Sequence, residues 1–136
     1  MLESSILISN LLVKFLIPFL LGSLIFFSVI VAPNTFKNLD KINSRKFIRG
    51  IFPKLYLWAG NISFIISILI FQINVFHSLL FLLITFGYFF SREYLMKKIN
   101  LASDKNKQKE FKRLHFISVI IFSSQIILMT IIFLKN

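Results

Sequence analysis

The residue types in this sequence that could do chemistry are mostly basic and aromatic, and they fall in two stretches. The candidate functional residues are Arg49, Phe52, Pro53, Tyr56, Arg92, Arg113, His115 and Ser118. Guanidinium and imidazolium groups bind phosphates and carboxylates through charge-assisted hydrogen bonds, so this set predicts binding of a lipid head group or another anion. The basic residues have a second explanation of equal weight, as plain signals for membrane topology.

The composition predicts that these residues are positioned by a membrane protein. Hydrophobic residues make up 57% of the 136 residues and charged residues only 15%, against about 45–50% and about 25% in soluble domains. The net charge is +11, and the basic residues lie between apolar runs, which favours an anionic lipid surface over nucleic acid as the partner. Cysteine is absent, which excludes disulfides and thiolate metal sites.

Four apolar runs predict four membrane-spanning helices in one domain, residues 1–136. They cover residues 11–32, 55–71, 75–90 and 116–134, near the length of about 20 residues that a span requires. The first run stops at Pro33. Its only charge, Lys14, is one turn from its start and is expected to reach the interface with its flexible stem. The predicted fold class is all-α, an integral membrane four-helix bundle.

The second and third spans come from one uncharged segment, residues 55–91. A single helix of that length would be about 55 Å long, and the hydrocarbon core is only about 30 Å thick. The chain must therefore fold back, and the polar residues Gln72, Asn74 and His77 mark the turn.

The basic residues predict the orientation of the bundle. Six lie between residues 33 and 54 and eight between residues 92 and 113, and the 72–77 turn has none. By the positive-inside rule both basic loops are cytoplasmic and both termini are outside. We expect a multi-pass protein of the bacterial inner (plasma) membrane, with the termini in the periplasm.

The basic loops are expected to be partly helical. Phe36, Leu39, Phe47 and Ile51 fall on one stripe of a helical wheel, which predicts an amphipathic elbow lying on the inner leaflet. Ser44 is a candidate N-cap within it. Glu93 and Lys97 have the favourable i, i+4 order, so the third helix is expected to project beyond the membrane. The pair Ser103-Asp104 is a candidate cap for the last helix.

Polar and small residues inside the spans are expected to hold helices together. The amides of Asn61 and Gln125 are predicted to link helices, and Ala59, Ser63 and Ser67 form a small face for close packing. Gly22 and Ser23 are expected to play the same part in the first helix. The spans contain no Asp or Glu, which argues against coupled transport.

The order of these features resembles the domain-of-unknown-function 4149 family, which is similar to transmembrane protein 205. The resemblance starts at residues 21–27, continues through Val31-Ala32-Pro33, Phe36, Ile51-Phe52-Pro53 and Tyr56, and resumes at Arg92 and Met96. It closes with residues 111–115 and Ser118, and so covers nearly the whole chain.

The resemblance implies a four-helix membrane protein, in agreement with the apolar runs. Family members have an Asn about one turn after the position of Ser118, where this chain has Phe122. No established activity comes with the family. Its distant similarity to copper-resistance and haem-pathway membrane proteins is an analogy of fold, and does not assign a function.

Three functions remain open on the sequence. We favour a non-enzymatic membrane protein that binds anionic lipid at its cytoplasmic face, with no cofactor and no metal. A haem- or metal-linked oxidoreductase would need axial ligands that this chain barely supplies, unless a dimer shares His115. His77 and His115 are expected on opposite sides of the membrane, about 25–30 Å apart, so they cannot bind one metal within a monomer. A small-molecule transporter or permeation path is the third. Homo-oligomers are compatible with all three.

Overall fold

The computed structural model describes residues 1–136 and contains only helices and short turns. Four helices are long and apolar enough to cross a membrane: α1 Leu2–Asn38, α2 Lys41–Phe71, α3 Val75–Asp104 and α4 Gln108–Lys135. α1 packs against α2 and α4, and α3 packs against the same two helices, with the closest packing between α2 and α3. The predicted all-helical bundle with four such helices is therefore confirmed.

The surface of the bundle is strongly apolar. The buried share of the most apolar window of each helix is only 17–39%, and large side chains such as Phe15, Phe76 and Phe86 are more than 60% exposed. The core is made of residues at helical spacing from all four helices: Val13, Ile17, Leu20, Leu24, Ala59, Ile66, Ile70, Phe81, Ile84, Tyr88, Met129 and Ile132. An outward face this apolar is suited to lipid.

The prediction that the first helix stops at Pro33 is wrong. α1 continues to Asn38 through a π-helical turn at Phe27–Val31, which ends two residues before the proline. Proline lacks the N–H that would bond four residues back, and a wider turn lets the helix continue past such a gap. The break comes later, at Leu39, whose backbone is extended.

The predicted elbow in the first basic loop is also wrong. Residues 32–38 continue α1, and residues 41–54 are the first turns of α2. Asp40 caps α2, because its carboxylate accepts a hydrogen bond of 3.0 Å from the backbone N–H of Asn43. Ser44, the predicted cap, lies inside the helix and is buried.

Of the predictions about the two remaining connections, one is confirmed and the other is partly wrong. The turn at Gln72–Asn74 is confirmed, and Asn74 caps α3 by accepting a 3.0 Å hydrogen bond from the N–H of His77. α3 continues to Asp104, and the i, i+4 pair Glu93–Lys97 forms at 3.0 Å. The predicted cap at Ser103-Asp104 is wrong: α4 starts at Gln108 after a turn in which Asn106 has a φ of 53°.

Contacts between α1 and α2 set the register of the two helices. Ser5 Oγ lies 3.3 Å from Gln72 Oε1, and the Phe27 ring packs edge-on against Phe52 with centroids 5.2 Å apart. From Pro53 to Gln72 the helix rises about 28 Å, close to a hydrocarbon core of about 30 Å. The turns from Lys41 to Pro53 extend about 18 Å beyond it.

This register corrects the position of Lys14. The residue lies about 13 Å along α1 from the level of Ser5, near the middle of the apolar section, and its side chain is exposed. It therefore lies about three turns from the start of α1 and not one turn as expected from the apolar run, because the helix begins at Leu2.

The small face of α2 is confirmed. Ala59, Ser63 and Ser67 are all buried. Ser67 Oγ donates to the backbone carbonyl of Ser78 at 2.9 Å, and Ser78 Oγ donates back to the carbonyl of Ser67 at 2.8 Å. The reciprocal pair joins α2 to α3, which requires the two backbones to approach closely.

Of the other predictions about polar and small residues, the structure confirms the one for Gln125 and contradicts those for Asn61, Gly22 and Ser23. Gln125 of α4 links two helices, because its Nε2 donates to the carbonyl of Ile84 in α3 at 2.9 Å. Asn61 does not, since it is exposed on the outer side of α2 and makes no side-chain hydrogen bond. Gly22 is exposed with open space around it, and Ser23 donates only to Phe19 of its own helix.

Candidate anion-binding site at the basic end of the bundle

Both basic segments lie at one end of the bundle, opposite the Gln72–Asn74 turn. The guanidinium of Arg49, in the first turns of α2, is 2.6 Å from the Asp104 carboxylate at the end of α3. The same guanidinium donates to the carbonyl of Asn100 at 3.2 Å. The antiparallel helices thus bring the two sequence stretches together, as a bundle with two basic connections requires.

The hydrogen bond from Arg49 holds the pKa of the Asp104 carboxyl below its ordinary value of 3.8. The carboxylate is therefore charged at neutral pH, and the pair is lost only as the pH falls through that lowered pKa. Because the Asp104 side chain is 52% exposed, water and salt screen the pair and its contribution to stability is small.

Arg92 is placed by a second π-helical turn, Ser91–Leu95, within α3. Its Nε donates to the carbonyl of Pro53 at 3.1 Å, and its guanidinium also pairs with Glu93. Lys97 holds the other oxygen of Glu93 at 3.0 Å. One carboxylate therefore stands between two cations at the level of Pro53.

These side chains line a cleft of about 240 Å³ between α2 and α3. Its walls are Pro53, Arg92, Glu93, Met96, Lys97 and Asn100. Arg92 has five N–H donors, of which one bonds the Pro53 carbonyl and one pairs with Glu93. The remaining donors, with the ammonium group of Lys97, are suited to an anionic oxygen in the cleft.

Two other candidates, Phe52 and Tyr56, belong to a packed aromatic cluster below the cleft, and a third, Ser118, lies beside it. The ring of Tyr56 is 5.9 Å from Phe52, 6.2 Å from Tyr88 and 6.4 Å from Phe122, measured between centroids. The Tyr56 side chain is buried, and its hydroxyl faces the side chain of Ser118. This cluster joins α2, α3 and α4 and supports the floor of the basic end.

The structure leaves Arg113 and His115 apart from the other candidates. Both are exposed on α4. Arg113 makes no hydrogen bond or ion pair, and His115 stacks flat on Phe111 with centroids 5.9 Å apart. Thus Pro53 and Arg92 line the cleft, and Arg49 links the first turns of α2 to the end of α3. Phe52, Tyr56 and Ser118 belong to the cluster that supports the cleft. The remaining two candidates lie outside it.

The cleft contains residues that the sequence did not single out as functional. The sequence predicts Glu93 and Lys97 only as an ion pair on one helix, and Met96 and Asn100 complete the wall. A usable signal was present: Arg92, Met96 and Asn100 repeat every four residues, so one face of α3 carries all three.

The two histidines lie at opposite ends of the bundle. His77 Nδ1 is 3.2 Å from the Asn136 side chain, beside the Gln72–Asn74 turn, and His115 is near the start of α4 at the basic end. No three His, Asp or Glu side chains come close enough together to hold a metal ion.

Comparison with protein families places most of the chain in a known family. The family model described as Domain of unknown function (DUF4149) matches residues 15–108, more than half of the chain. The matched segment contains Pro53, Arg92 and the whole of the cleft. Comparisons with curated proteins and with solved structures found no match.

Proposed function

The chain belongs to the DUF4149 family, and we propose that it is an integral membrane protein that binds the phosphate of an anionic lipid in the Arg92 cleft. Both termini are then outside and the basic end faces the cytoplasm, in the plasma membrane of a bacterium. The charge distribution supports this orientation, because lysine and arginine are retained on the cytoplasmic side during insertion.

The observation that carries the proposal is the depth of the cleft. Arg92 is bonded to Pro53, which lies at one end of the apolar section of about 28 Å. A guanidinium at this level meets the phosphate layer of the leaflet, where anionic lipids give a negative surface potential. The half-buried side chains of Met96 and Pro53 beside it suit the glycerol and upper acyl carbons.

A second basic cleft of about 320 Å³ fits lipid less well. It is lined by Ile42, Arg45, Lys46 and Arg49, all on α2. Arg45 lies about 12 Å further along the helix than Pro53, beyond the depth of the phosphates. Arg49 is already engaged by Asp104 and Asn100.

Lipid binding in nanodiscs tests the proposal. We expect Arg92→Gln to weaken the binding of short-chain phosphatidylglycerol at least tenfold in an otherwise zwitterionic nanodisc. Arg113→Gln is the matched control, since it removes the same charge from an exposed residue of the same end and should change affinity less than twofold.

A third variant separates binding from folding. Glu93→Gln removes the carboxylate that occupies Arg92 and Lys97, so it should strengthen binding about threefold or more, a gain that misfolding cannot produce. Equal losses in the Arg92 and Arg113 variants, or weaker binding by Glu93→Gln, would contradict the cleft as the site.

A further inference from the structure

We propose that two copies of the chain associate in the membrane through the outer face of α2, with the Asn61 amides hydrogen-bonded to each other across a twofold axis. The proposal is independent of lipid binding in the Arg92 cleft, because it concerns another surface and another depth.

Asn61 carries a polar amide at a depth where lipid tails surround the protein. It lies about 12 Å along α2 from Pro53 and about 16 Å from Gln72, which is near the middle of the apolar section. The side chain is exposed and makes no hydrogen bond. Lipid tails offer neither donors nor acceptors, so an unpaired amide there costs free energy.

Several other polar side chains at comparable depth have partners within the chain, whereas the buried Ser63 hydroxyl and the exposed Lys14 ammonium group have none. The amide of Gln125 bonds the carbonyl of Ile84, the Ser67 and Ser78 hydroxyls bond each other's carbonyls, and Thr85 bonds Phe81. Outside the apolar section, Asn34 and Asn38 donate to the carbonyl four residues earlier. Asn61 does neither, so its partner is expected outside the chain.

The residues around Asn61 have the spacing of a helix-pairing seam. Leu57, Asn61, Phe64, Ile68 and Phe71 follow one another at intervals of four, three, four and three residues, the a/d pattern of two paired helices. The four apolar members are 38%, 48%, 57% and 58% exposed, in chain order. The seam carries no charge, so two copies can meet in lipid without repulsion.

A second copy is the occupant that this seam fits. Two copies inserted in the same orientation are related by an axis along the membrane normal, which places the two Asn61 residues at the same depth. An amide carries both a donor and an acceptor, so a self-complementary interface satisfies both sides at once. A polar residue at one seam position also fixes the register of a parallel pair.

Cysteine cross-linking in membranes tests the dimer, since the natural chain contains no cysteine. A Phe64→Cys variant should form disulfide-linked dimers on mild oxidation, because a twofold axis brings each seam residue near its copy. Ile127→Cys on α4 is the matched control: it is 59% exposed and lies at a similar depth through the Gln125–Ile84 and Ser67–Ser78 contacts. It should not cross-link.

The role of the amide is tested in the same background. Adding Asn61→Leu to Phe64→Cys should lower the association constant of the dimer about tenfold. Asn61→Gln keeps an amide and should retain most of the dimer affinity. Asn61 is exposed, so the thermal stability of the monomer should not fall. Equal cross-linking at Phe64 and Ile127, no cross-linking at Phe64, or an unchanged constant in the Asn61→Leu variant would each overturn the proposal.

Discussion

Replacing Ser67 by leucine should lower the free energy of unfolding by about 3 kcal/mol. Ser67 is 2% exposed, and its backbone carbonyl and hydroxyl both bond Ser78 of α3. A leucine there forces the two most closely packed helices apart, and overpacking a tight interface costs about 1–3 kcal/mol. Loss of the interhelical hydrogen bond adds about 0.6–1.7 kcal/mol. Unfolding in mixed detergent micelles, followed by circular dichroism, measures the change.

Ser67→Ala is the control that separates size from hydrogen bonding. The alanine fits the same space, and Ser78 Oγ still donates to the carbonyl of residue 67. We therefore expect a loss of only about 1 kcal/mol or less. Equal destabilisation by leucine and by alanine would contradict the explanation that the small face allows α2 and α3 to approach closely.

Gly87→Ala is expected to destabilise the bundle by about 1–2 kcal/mol, although alanine is the better helix former. A Cβ at position 87 would lie 2.5 Å from Gln125 Nε2, so the amide must leave the Ile84 carbonyl that it bonds at 2.9 Å. Gln125 is buried, and a buried amide without a partner costs about 1–3 kcal/mol. The measurement is the same unfolding titration.

A double-mutant cycle identifies the cause. In a Gln125→Ala background the nearest of the remaining contacts of the added Cβ is Ile121 Cγ2, at an ordinary 3.9 Å, and helix propensity favours alanine by up to about 1 kcal/mol. Gly87→Ala should then be neutral or stabilising. The same loss in both backgrounds would show that Gly87 is needed for another reason than to make room for the amide.

The apolar runs were sufficient to predict the helices and the turn at Gln72, because lipid leaves the backbone no other way to satisfy its hydrogen bonds. They could not give the ends of the helices. Hydropathy falls at Pro33 and Ser91, yet α1 and α3 continue for further turns through π-helical segments. Polar residues do not stop a helix, and a proline bends it only if the missing hydrogen bond cannot be absorbed locally.

Contacts between side chains that are far apart in the sequence were the other feature that could not be predicted. Asp104 was expected to cap α4, but Arg49 occupies its carboxylate. Arg113 and His115 are predicted in the candidate site because the start of the last helix is expected to meet the first basic loop at the cytoplasmic face. Both side chains are exposed on α4, so only the fold shows that Arg92, and not Arg113, lines the cleft.

Accessibility of single cysteines tests the central claim most directly, that four spans place the basic end on one side and the termini on the other. The variants are Gln72→Cys and Asn136→Cys at one end, and Lys46→Cys and Asn106→Cys at the other, all at exposed positions. In intact spheroplasts a membrane-impermeant maleimide should label the first pair and reach the second only after permeabilisation. Labelling of all four in intact spheroplasts, or of the second pair alone, would contradict the account.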